Sequence, residues 1–235
     1  MVDRTEPQLA TMPEDWSTAV CVVAHPDDVE YGPAAAVARW TAQGKVVSYL
    51  VLTSGEEGIQ GTPADEAGPL REQEERAAAP VVGVHDVEFL RHPDGALADT
   101  VELRSDIARA LHRRDPELVV LINHHPQWAF GGANTSDHRA AGEAVLHALR
   151  AEPLPSLRWV AVADSPHIDH AVDVTGHVDA GLASLREHRA YLEALGGENW
   201  SVDHVVGNAR RAGALLGVQH AVAVELITDL HQGKR

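Results

Sequence analysis

Cysteine is nearly absent from this 235-residue sequence, which contains Cys21 alone. A single cysteine excludes an intramolecular disulfide, so the fold must be held together by packing and hydrogen bonds. Cys21 lies within an apolar run that predicts a buried strand, where a thiol behaves as a small hydrophobic side chain. We therefore expect a protein of the reducing cytoplasm.

Long apolar runs are also absent. Those around residues 46–52 are strand-sized and interrupted by polar residues, well short of the roughly 20 apolar residues of a membrane-spanning helix. Residues 1–16 carry several acidic side chains and no apolar stretch of signal-peptide length. The sequence thus predicts a soluble protein with no membrane partner and no export signal.

Positive charge is scarce. Lysine and arginine together number 19 against 35 aspartates and glutamates, which gives a formal net charge of −16 at pH 7. This negative charge opposes binding to polyanions and excludes nucleic acid as the main partner. Only Lys45 and Lys234 are lysines, a bias towards arginine that indicates a GC-rich bacterial genome. No Gly-x-Gly-x-x-Gly motif follows the first predicted strand, so a dinucleotide cofactor is not expected.

No linker or change of composition divides the chain, which predicts one domain over residues 1–235, with residues 1–16 as an N-terminal extension. Strand-like runs alternate with helix-like runs, and this alternation predicts an α/β fold with a Rossmann-like, mostly parallel sheet and helices on both faces. The expected strands are residues 17–24, 45–53, 87–90, 118–122, 158–162 and 221–227. The expected helices are 33–43, 70–79, 101–114, 137–150, a long one ending near 195, and 202–216, with an irregular loop at 54–68.

The most informative segment is Ala24-His25-Pro26-Asp27-Asp28, directly after the first predicted strand. It places an imidazole and two carboxylates at the carboxyl end of a strand, where open α/β folds keep their active sites. His25 and Asp28 can turn towards one divalent metal ion, which leaves Asp27 free to handle protons beside it. The alternative is an ordinary strand-to-helix turn, since Asp and Pro are common where helices begin.

A second polar segment lies far along the chain, at Asn134-Thr135-Ser136-Asp137-His138. It precedes an amphipathic helix, as the first segment does. A catalytic zinc ion typically takes three protein ligands and keeps one position open, and His138 supplies the third ligand. The two segments together predict a metal-dependent hydrolase.

The chain resembles the PIG-L/LmbE-like zinc-dependent N-deacetylases over roughly residues 17–150. The matching segments, in the order found in the family, are Ala24-His25-Pro26-Asp27-Asp28-Val29-Glu30, Thr53-Ser54-Gly55-Glu56, Arg71 with Glu74, Asp94-Gly95 and Ser136-Asp137-His138. The first of these is specific in its position directly after the first strand. The remaining third of the chain is less diagnostic.

The resemblance implies a zinc ion held by His25, Asp28 and His138. It also implies that Asp27 is the catalytic base, which takes a proton from the attacking water and returns it to the leaving amine. Asp137 is similar to a family carboxylate that orients a catalytic imidazole, while an aspartate at that position is also explained as a helix cap.

One position departs from the family pattern. Thr135 stands where many members have a histidine that stabilises the oxyanion or protonates the leaving group. We therefore expect a histidine from elsewhere to take this catalytic role, and His167 is the first choice because it follows a predicted strand and should emerge at the same edge of the sheet. The other candidates are His124, His125 and His170. Each of the four is also explained as a surface or structural histidine.

The resemblance also implies two substrate-binding residues. Arg71 is expected to contact the sugar, and Asp94 is expected to accept hydrogen bonds from sugar hydroxyls. The alternative for Arg71 is an exposed ion pair with Glu74 or Glu75 on its own helix. The alternative for Asp94 is a simple turn before Gly95.

These features predict an enzyme that uses Zn²⁺ to hydrolyse the N-acetyl amide of an amino-sugar conjugate, as in thiol-cofactor or natural-product biosynthesis. The rival hypothesis is a catalytically weak metal- and sugar-binding or regulatory protein on the same fold. Asp27 favours the enzyme, because a binding module has little need of a base beside its metal. The expected partner is the small-molecule N-acetylated substrate, and the sequence leaves a homo-oligomer open.

Overall fold

The computed structural model describes residues 9–227, which form one eight-stranded sheet with helices packed on both faces. The strands are β1 (Ala10–Thr11), β2 (Thr18–Val23), β3 (Val46–Val51), β4 (Asp86–Phe89), β5 (Leu118–Leu121), β6 (Trp159–Ala163), β7 (His170–Asp173) and β8 (Ala221–Ile227). The helices are α1 (Asp28–Tyr31), α2 (Ala34–Ala42), α3 (Ala64–Ala78), α4 (Val101–Arg114), α5 (Ser136–Ala151), α6 (Val178–Leu185), α7 (Arg189–Ala194) and α8 (Asn199–Leu216), and a 3₁₀ turn at Ala79–Val82 follows α3.

The strand order is β1-β7-β8-β6-β5-β2-β3-β4. Among these strands β8 is antiparallel to both of its neighbours, β6 and β7, and the other neighbouring pairs are parallel. The predicted mostly parallel α/β sheet is thus confirmed. The reversed direction of β8 was not predicted, because an apolar run reveals a buried strand but not its direction.

The order of the strands reverses between β2 and β5. From β2 the chain proceeds to β3 and β4 on one side, and β5 and β6 then form on the other side. Such a switch point opens a crevice at the carboxyl ends of the strands, and ligands of open α/β sheets bind there. The segments that follow β2 and β5 carry the two polar motifs, so the fold brings them together.

Both faces of the central strands are buried. Along β2, Ala19, Cys21 and Val23 belong to one core that also contains side chains of α2, α6 and α8. Val20 and Val22 belong to the other core, with side chains of α4 and α5. Cys21 is a free, fully buried thiol, which agrees with its prediction as a small core hydrophobic residue.

Helix α3 begins earlier than predicted. The glycines and proline of residues 54–68 predict an irregular loop over that whole range, but α3 starts at Ala64 and continues through Pro69. Asp65 and Glu66 lie in the first turn, where negative charge is stabilised by the helix dipole. These two acids were the signal for a helix start that the breaking residues obscured.

The segment before residue 195 also differs from the prediction. In place of one long helix, the chain forms strand β7 and the two short helices α6 and α7. β7 has only four residues, too few for strand alternation to be distinguished from a helical pattern.

No helix between residues 9 and 227 combines the length and apolar character that crossing a membrane requires.

Part of the predicted N-terminal extension belongs to the folded core. Ala10–Thr11 pair with β7 as the edge strand β1. Met12 and Trp16 are buried in the same core as β2. Residues 1–8 lie outside the described range.

Candidate metal centre and active site

The first motif lies between the end of β2 and the start of α1. Asp27 precedes the helix with a φ of 97°, a left-handed conformation that is unfavourable for a residue other than glycine. Its side chain makes no capping hydrogen bond to α1. The segment is thus a strand-to-helix turn in which Asp27 occupies the N-cap position without capping the helix through its side chain. Strained backbone of this kind is concentrated at functional sites.

His25, Asp28 and His138 each bring one ligand atom to a common point, all within 4.8 Å of one another. His25 Nδ1 lies 3.1 Å from His138 Nε2, which in turn lies 3.1 Å from Asp28 Oδ1. Two ligands of a tetrahedral zinc ion, bound at about 2.0 to 2.2 Å, are about 3.4 Å apart. Two imidazoles and one carboxylate with these separations fit a single divalent metal ion.

The other ring nitrogen of His25 faces two further carboxylates. Nε2 lies 3.0 Å from Asp94 Oδ1 and 3.6 Å from Asp137 Oδ2. Asp94 also accepts the backbone N–H of Glu57, and Asp137 accepts that of Gly95. Carboxylates that hold the second nitrogen of a metal-binding imidazole fix its tautomer and orientation.

These contacts change the interpretation of Asp94 and Asp137. Asp94 lines the cavity described below, and its two oxygens already contact His25 and a backbone N–H. Each carboxylate oxygen can accept a second hydrogen bond, so contact with sugar hydroxyls stays a prediction. Asp137 does not cap helix α5, because Thr135 Oγ1 accepts the N–H of His138 at 3.3 Å and is the cap. The threonine at the family histidine position therefore has a structural role. Asp137 faces the imidazole of His25, and its role in orienting a catalytic imidazole stays a prediction.

Asn134 orients the second imidazole. Its Oδ1 lies 3.1 Å from His138 Nδ1, and its amide group donates to the backbone carbonyls of Asn123 and His125. With Nδ1 held in this way, His138 presents Nε2 to the metal position. No role was predicted for Asn134, although its position four residues before His138 was a usable signal.

Arg71 holds the carboxylate of Asp27. It is 2% exposed, and its Nη2 donates to Asp27 Oδ1 at 2.9 Å. The guanidinium also donates to the backbone carbonyls of Pro26 and Gly55, and the ring of Tyr191 packs over it at 4.3 Å. Arg71 thus places the carboxylate beside the metal ligands.

The structure excludes one of the two roles considered for Arg71 and leaves the other as a prediction. The exposed ion pair with Glu74 or Glu75 is wrong, because the guanidinium is buried against Asp27. Contact with the sugar stays a prediction, since Arg71 lines the cavity while its hydrogen bonds go to the protein. Gly55 has a φ of 64°, and a Cβ at this position would overlap the guanidinium, so the close approach of Arg71 requires glycine there.

Asp27 has the electrostatic surroundings of a base. Burial raises its pKa above the usual range of a carboxylate, Arg71 opposes that shift, and the charge of Asp28 adds to it. A carboxylate with a raised pKa accepts a proton more readily than an exposed one at neutral pH. The site therefore pairs a three-ligand metal position with a positioned proton acceptor.

The family model of the GlcNAc-PI de-N-acetylase PIG-L matches residues 20–149, more than half of the chain. The chain belongs to the PIG-L family. The matched PIG-L segment contains the three metal-ligand candidates, Asp27 and the residues that hold them, so the predicted family is confirmed on the residues that form the site.

The chain is similar to several named proteins in sequence or in fold. The probable N-acetyl-alpha-D-glucosaminyl L-malate deacetylase 2 of Bacillus anthracis is 30% identical over 184 residues, which is 71% of this chain and 78% of that protein. The N,N′-diacetylchitobiose deacetylase of Pyrococcus horikoshii has a TM-score of 0.81 at 21% identity, over 91% of this chain and 85% of that chain. The 4-carboxy-2-hydroxymuconate hydratase of Pseudomonas putida has a TM-score of 0.72 at 18% identity, over 93% of this chain and 99% of that chain. Since the fold carries both deacetylases and a hydratase, function must be argued from the site.

The candidate metal centre opens into a cavity of about 780 Å³. This volume lies within the range of about 300–1,000 Å³ that is typical of small-molecule sites. Near the candidate metal position the lining includes His25, Asp27, Asp28 and His138. The C-terminal third of the chain contributes a second part of the wall, from Tyr191, Leu195, Trp200, His204, Asn208 and Arg211.

Asp164 is a cavity residue that the sequence interpretation missed. It directly follows β6 and has a φ of 55°, a second left-handed aspartate at the same edge of the sheet. Burial and the nearby charge of Asp28 raise its pKa to about 7. The usable signal was its position, because an acid directly after a buried parallel strand is placed as His25 is placed after β2.

A buried charged cluster lies behind Asp27. Glu75 Oε2 accepts the backbone N–H of Asp27 at 3.1 Å. His188 Nε2 lies 3.5 Å from a Glu30 oxygen and 3.7 Å from a Glu75 oxygen, and all three side chains are sealed from solvent. Burial alone lowers the pKa of His188, but Glu30 and Glu75 raise it to about 9. The imidazolium therefore links α1, α3 and the start of α7 behind the site.

Replacement of His188 by alanine is expected to lower the free energy of unfolding by about 3 kcal/mol, because it leaves the buried Glu30 and Glu75 side chains without their cationic partner. The folded pKa near 9 exceeds the ordinary value of 6.5, so the stabilisation is complete below about pH 6.5 and is lost as the pH rises through 9. Urea unfolding at pH 6 and pH 9.5 measures both effects. His85→Ala, at an exposed position, is the control. An equal difference between His188→Ala and wild type at the two pH values would contradict this assignment.

The four histidines considered as replacements for the family histidine do not line the cavity. His167 is exposed, and its ring packs against His125 at 4.6 Å. His125 pairs with Glu225 at 2.7 Å, and His124 packs on His125. The position of His167 does not support its predicted catalytic role, because its side chain is exposed and packs on His125 outside the cavity.

His167→Ala is accordingly expected to keep turnover within about twofold of the wild type, because a side chain that does not contact the reacting atoms contributes little to transition-state binding. The measurement is kcat/KM for release of a primary amine, with metal content determined on the same sample. His85→Ala, at an exposed position outside the cavity, is the matched control. A fall of 100-fold or more at unchanged metal content would restore the original assignment.

Proposed function

We propose that this protein is a metal-dependent N-deacetylase of an amino-sugar conjugate. The observation that carries the proposal is Asp27, a buried carboxylate with a raised pKa, held by Arg71 directly beside three convergent metal ligands. Amide hydrolysis needs a base at this place. Family membership and the name of the Bacillus anthracis relative, a glucosaminyl-malate deacetylase, support the same reaction.

We propose zinc as the metal. His25, Asp28 and His138 form the three-ligand set of nitrogen and oxygen donors that is typical of catalytic zinc sites. When bound, the ion polarises the acetyl carbonyl and lowers the pKa of a water molecule, which are the two requirements for attack on an amide at neutral pH. Asp94 and Asp137 keep His25 in the tautomer that leaves Nδ1 free for the metal.

Asp27 carries the proton transfer. It accepts a proton from the attacking water, and the upward shift of its pKa by burial makes it a stronger proton acceptor than an exposed aspartate. The same carboxyl group then gives the proton to the departing nitrogen, which leaves as an amine together with acetate. Arg71 keeps the carboxylate in one position throughout, because its own bonds to Pro26 and Gly55 fix the guanidinium.

The alternative, a weak binding or regulatory protein, does not account for Asp27. A binder gains nothing from an aspartate in a strained left-handed conformation with its charge buried. We also propose a bacterial, cytoplasmic setting, since the one thiol is buried and reduced and arginine dominates the basic residues.

The proposal is tested with purified protein by two measurements on one sample. Elemental analysis gives the metal per chain, with one zinc expected. Release of primary amine is then followed on a panel of N-acetylglucosamine conjugates, before and after chelation and after zinc is restored. Activity that survives complete removal of metal contradicts the proposal, as does a zinc-loaded protein that binds the conjugates without releasing amine.

A further inference from the structure

One side of helix α8 forms the outer wall of the cavity. Trp200, His204 and Asn208 are spaced four residues apart and Arg211 follows three residues later, so the four side chains lie on one side of the helix. All four line the cavity. The chain therefore presents two rings, an amide and a cation along the same wall.

Trp200 is unusually accessible for its type, with 65% of its surface exposed. Among the described residues, the exposed large apolar side chains are Val46, Val81, Val101, Leu195 and Trp200. Of these, Leu195 and Trp200 line the cavity. Exposed apolar surface that is concentrated at a cavity marks a binding surface more often than apolar residues scattered singly.

Trp200, His204 and Tyr31 form an aromatic platform that is ordered by its own contacts. The rings of Trp200 and His204 stack with centroids 5.0 Å apart and planes 23° apart. The ring of Tyr31 lies 6.3 Å from that of Trp200, and its hydroxyl is 2.6 Å from Ser201 Oγ, which joins α1 to α8. Because these rings are already held, a ligand that packs on them loses little additional side-chain entropy.

The cavity has a larger volume than a single sugar occupies. Cavities of comparable volume accommodate drug-sized ligands, and a single N-acetylhexosamine is smaller than these. With its acetamido group at the metal centre, such a sugar leaves space along α8. The aromatic platform is the apolar part of that remaining wall.

We propose that the aromatic platform binds a second ring of the substrate, with a flat apolar face, attached to the amino sugar that is deacetylated. This inference rests on the proposed function and specifies its substrate class. A pyranose and an aromatic ring both present such a face, the first through its C–H groups and the second through its π-system, and both pack on an indole. Trp200 is the specificity-determining residue of this subsite.

The test measures equilibrium binding, so that it does not depend on turnover. Calorimetry of the metal-loaded Asp27→Asn protein gives Kd for methyl N-acetylglucosaminide, N,N′-diacetylchitobiose and phenyl N-acetylglucosaminide. Trp200→Ala and Trp200→Phe are then compared in the same background. Val101→Ala, which removes an exposed apolar side chain outside the cavity, is the control.

Trp200→Ala is expected to weaken binding of a two-ring ligand about tenfold and to leave the methyl glycoside within about twofold, while Trp200→Phe recovers most of the loss. A loss confined to the disaccharide identifies a pyranose as the second ring, and a loss confined to the phenyl glycoside identifies an arene. If Trp200→Ala changes Kd equally for all three ligands, or changes none of them, the aromatic platform does not bind a second ring. The proposed function is unaffected by that result. If the methyl glycoside and both two-ring ligands fail to bind before Trp200 is changed, the proposed function fails as well.

Discussion

Asp27→Asn is expected to lower turnover by about 100-fold or more while the metal remains bound. The amide has the shape of the carboxylate and can still accept the hydrogen bond from Arg71, but it cannot take the proton of the attacking water. Burial and the charge of Asp28 already raise the pKa of this carboxyl group, with Arg71 opposing them, so removal of its charge is not expected to unfold the chain. The measurement is kcat with zinc content determined on the same preparation.

The control for this variant is Asp65→Asn, which makes the same chemical change at an exposed position of α3. It should have the wild-type rate. Turnover at the wild-type level in the zinc-loaded Asp27→Asn protein would exclude Asp27 as the base. A variant that loses both zinc and activity would instead show that Asp27 supports the metal.

His138→Ala is expected to reduce zinc affinity by more than about 100-fold. Loss of a residue that only supports a ligand typically costs 10–100-fold, and His138 is itself a candidate ligand. The remaining pair, His25 and Asp28, lies within four residues of the chain and cannot enclose an ion alone. Zinc per chain is measured after equilibration with a competing chelator of known affinity.

The matched control is His147→Ala, on the same helix α5 but paired with Asp99 outside the site. It should retain one zinc per chain. If His138→Ala also retains one zinc per chain at the same chelator concentration, His138 is not a ligand, and a different set of donors must hold the metal.

Much of the site could be predicted because its central residues belong to short segments at strand ends. His25, Asp27 and Asp28 follow β2 directly, and a parallel sheet brings the segment containing His138 to the same edge. Local sequence encodes such positions, since a buried apolar run followed by polar residues is visible without a structure. The sheet and the convergence of His25, Asp28 and His138 therefore follow from the sequence pattern, while the roles of metal ligand and base stay predictions.

The partners of these residues could not be predicted in the same way. Arg71 reaches Asp27 from α3, and Asp94 reaches His25 from a loop, so each contact depends on how distant elements pack. The expectation for Asp94 as a sugar ligand considered its chemistry but not its neighbours. His167 illustrates the same limit, because emerging at the correct edge of the sheet did not determine the direction of its side chain.

At position 27, the residue that would make the fold most stable differs from the residue that the reaction needs. A non-glycine residue in the left-handed conformation of Asp27 costs on the order of 1 kcal/mol, and glycine would relieve that cost. Glycine would also remove the proton acceptor. A library of variants selected only for heat resistance should therefore enrich glycine at position 27 and become inactive as it becomes more robust. Selection for the reaction should return aspartate, even though it is not the residue that the backbone favours.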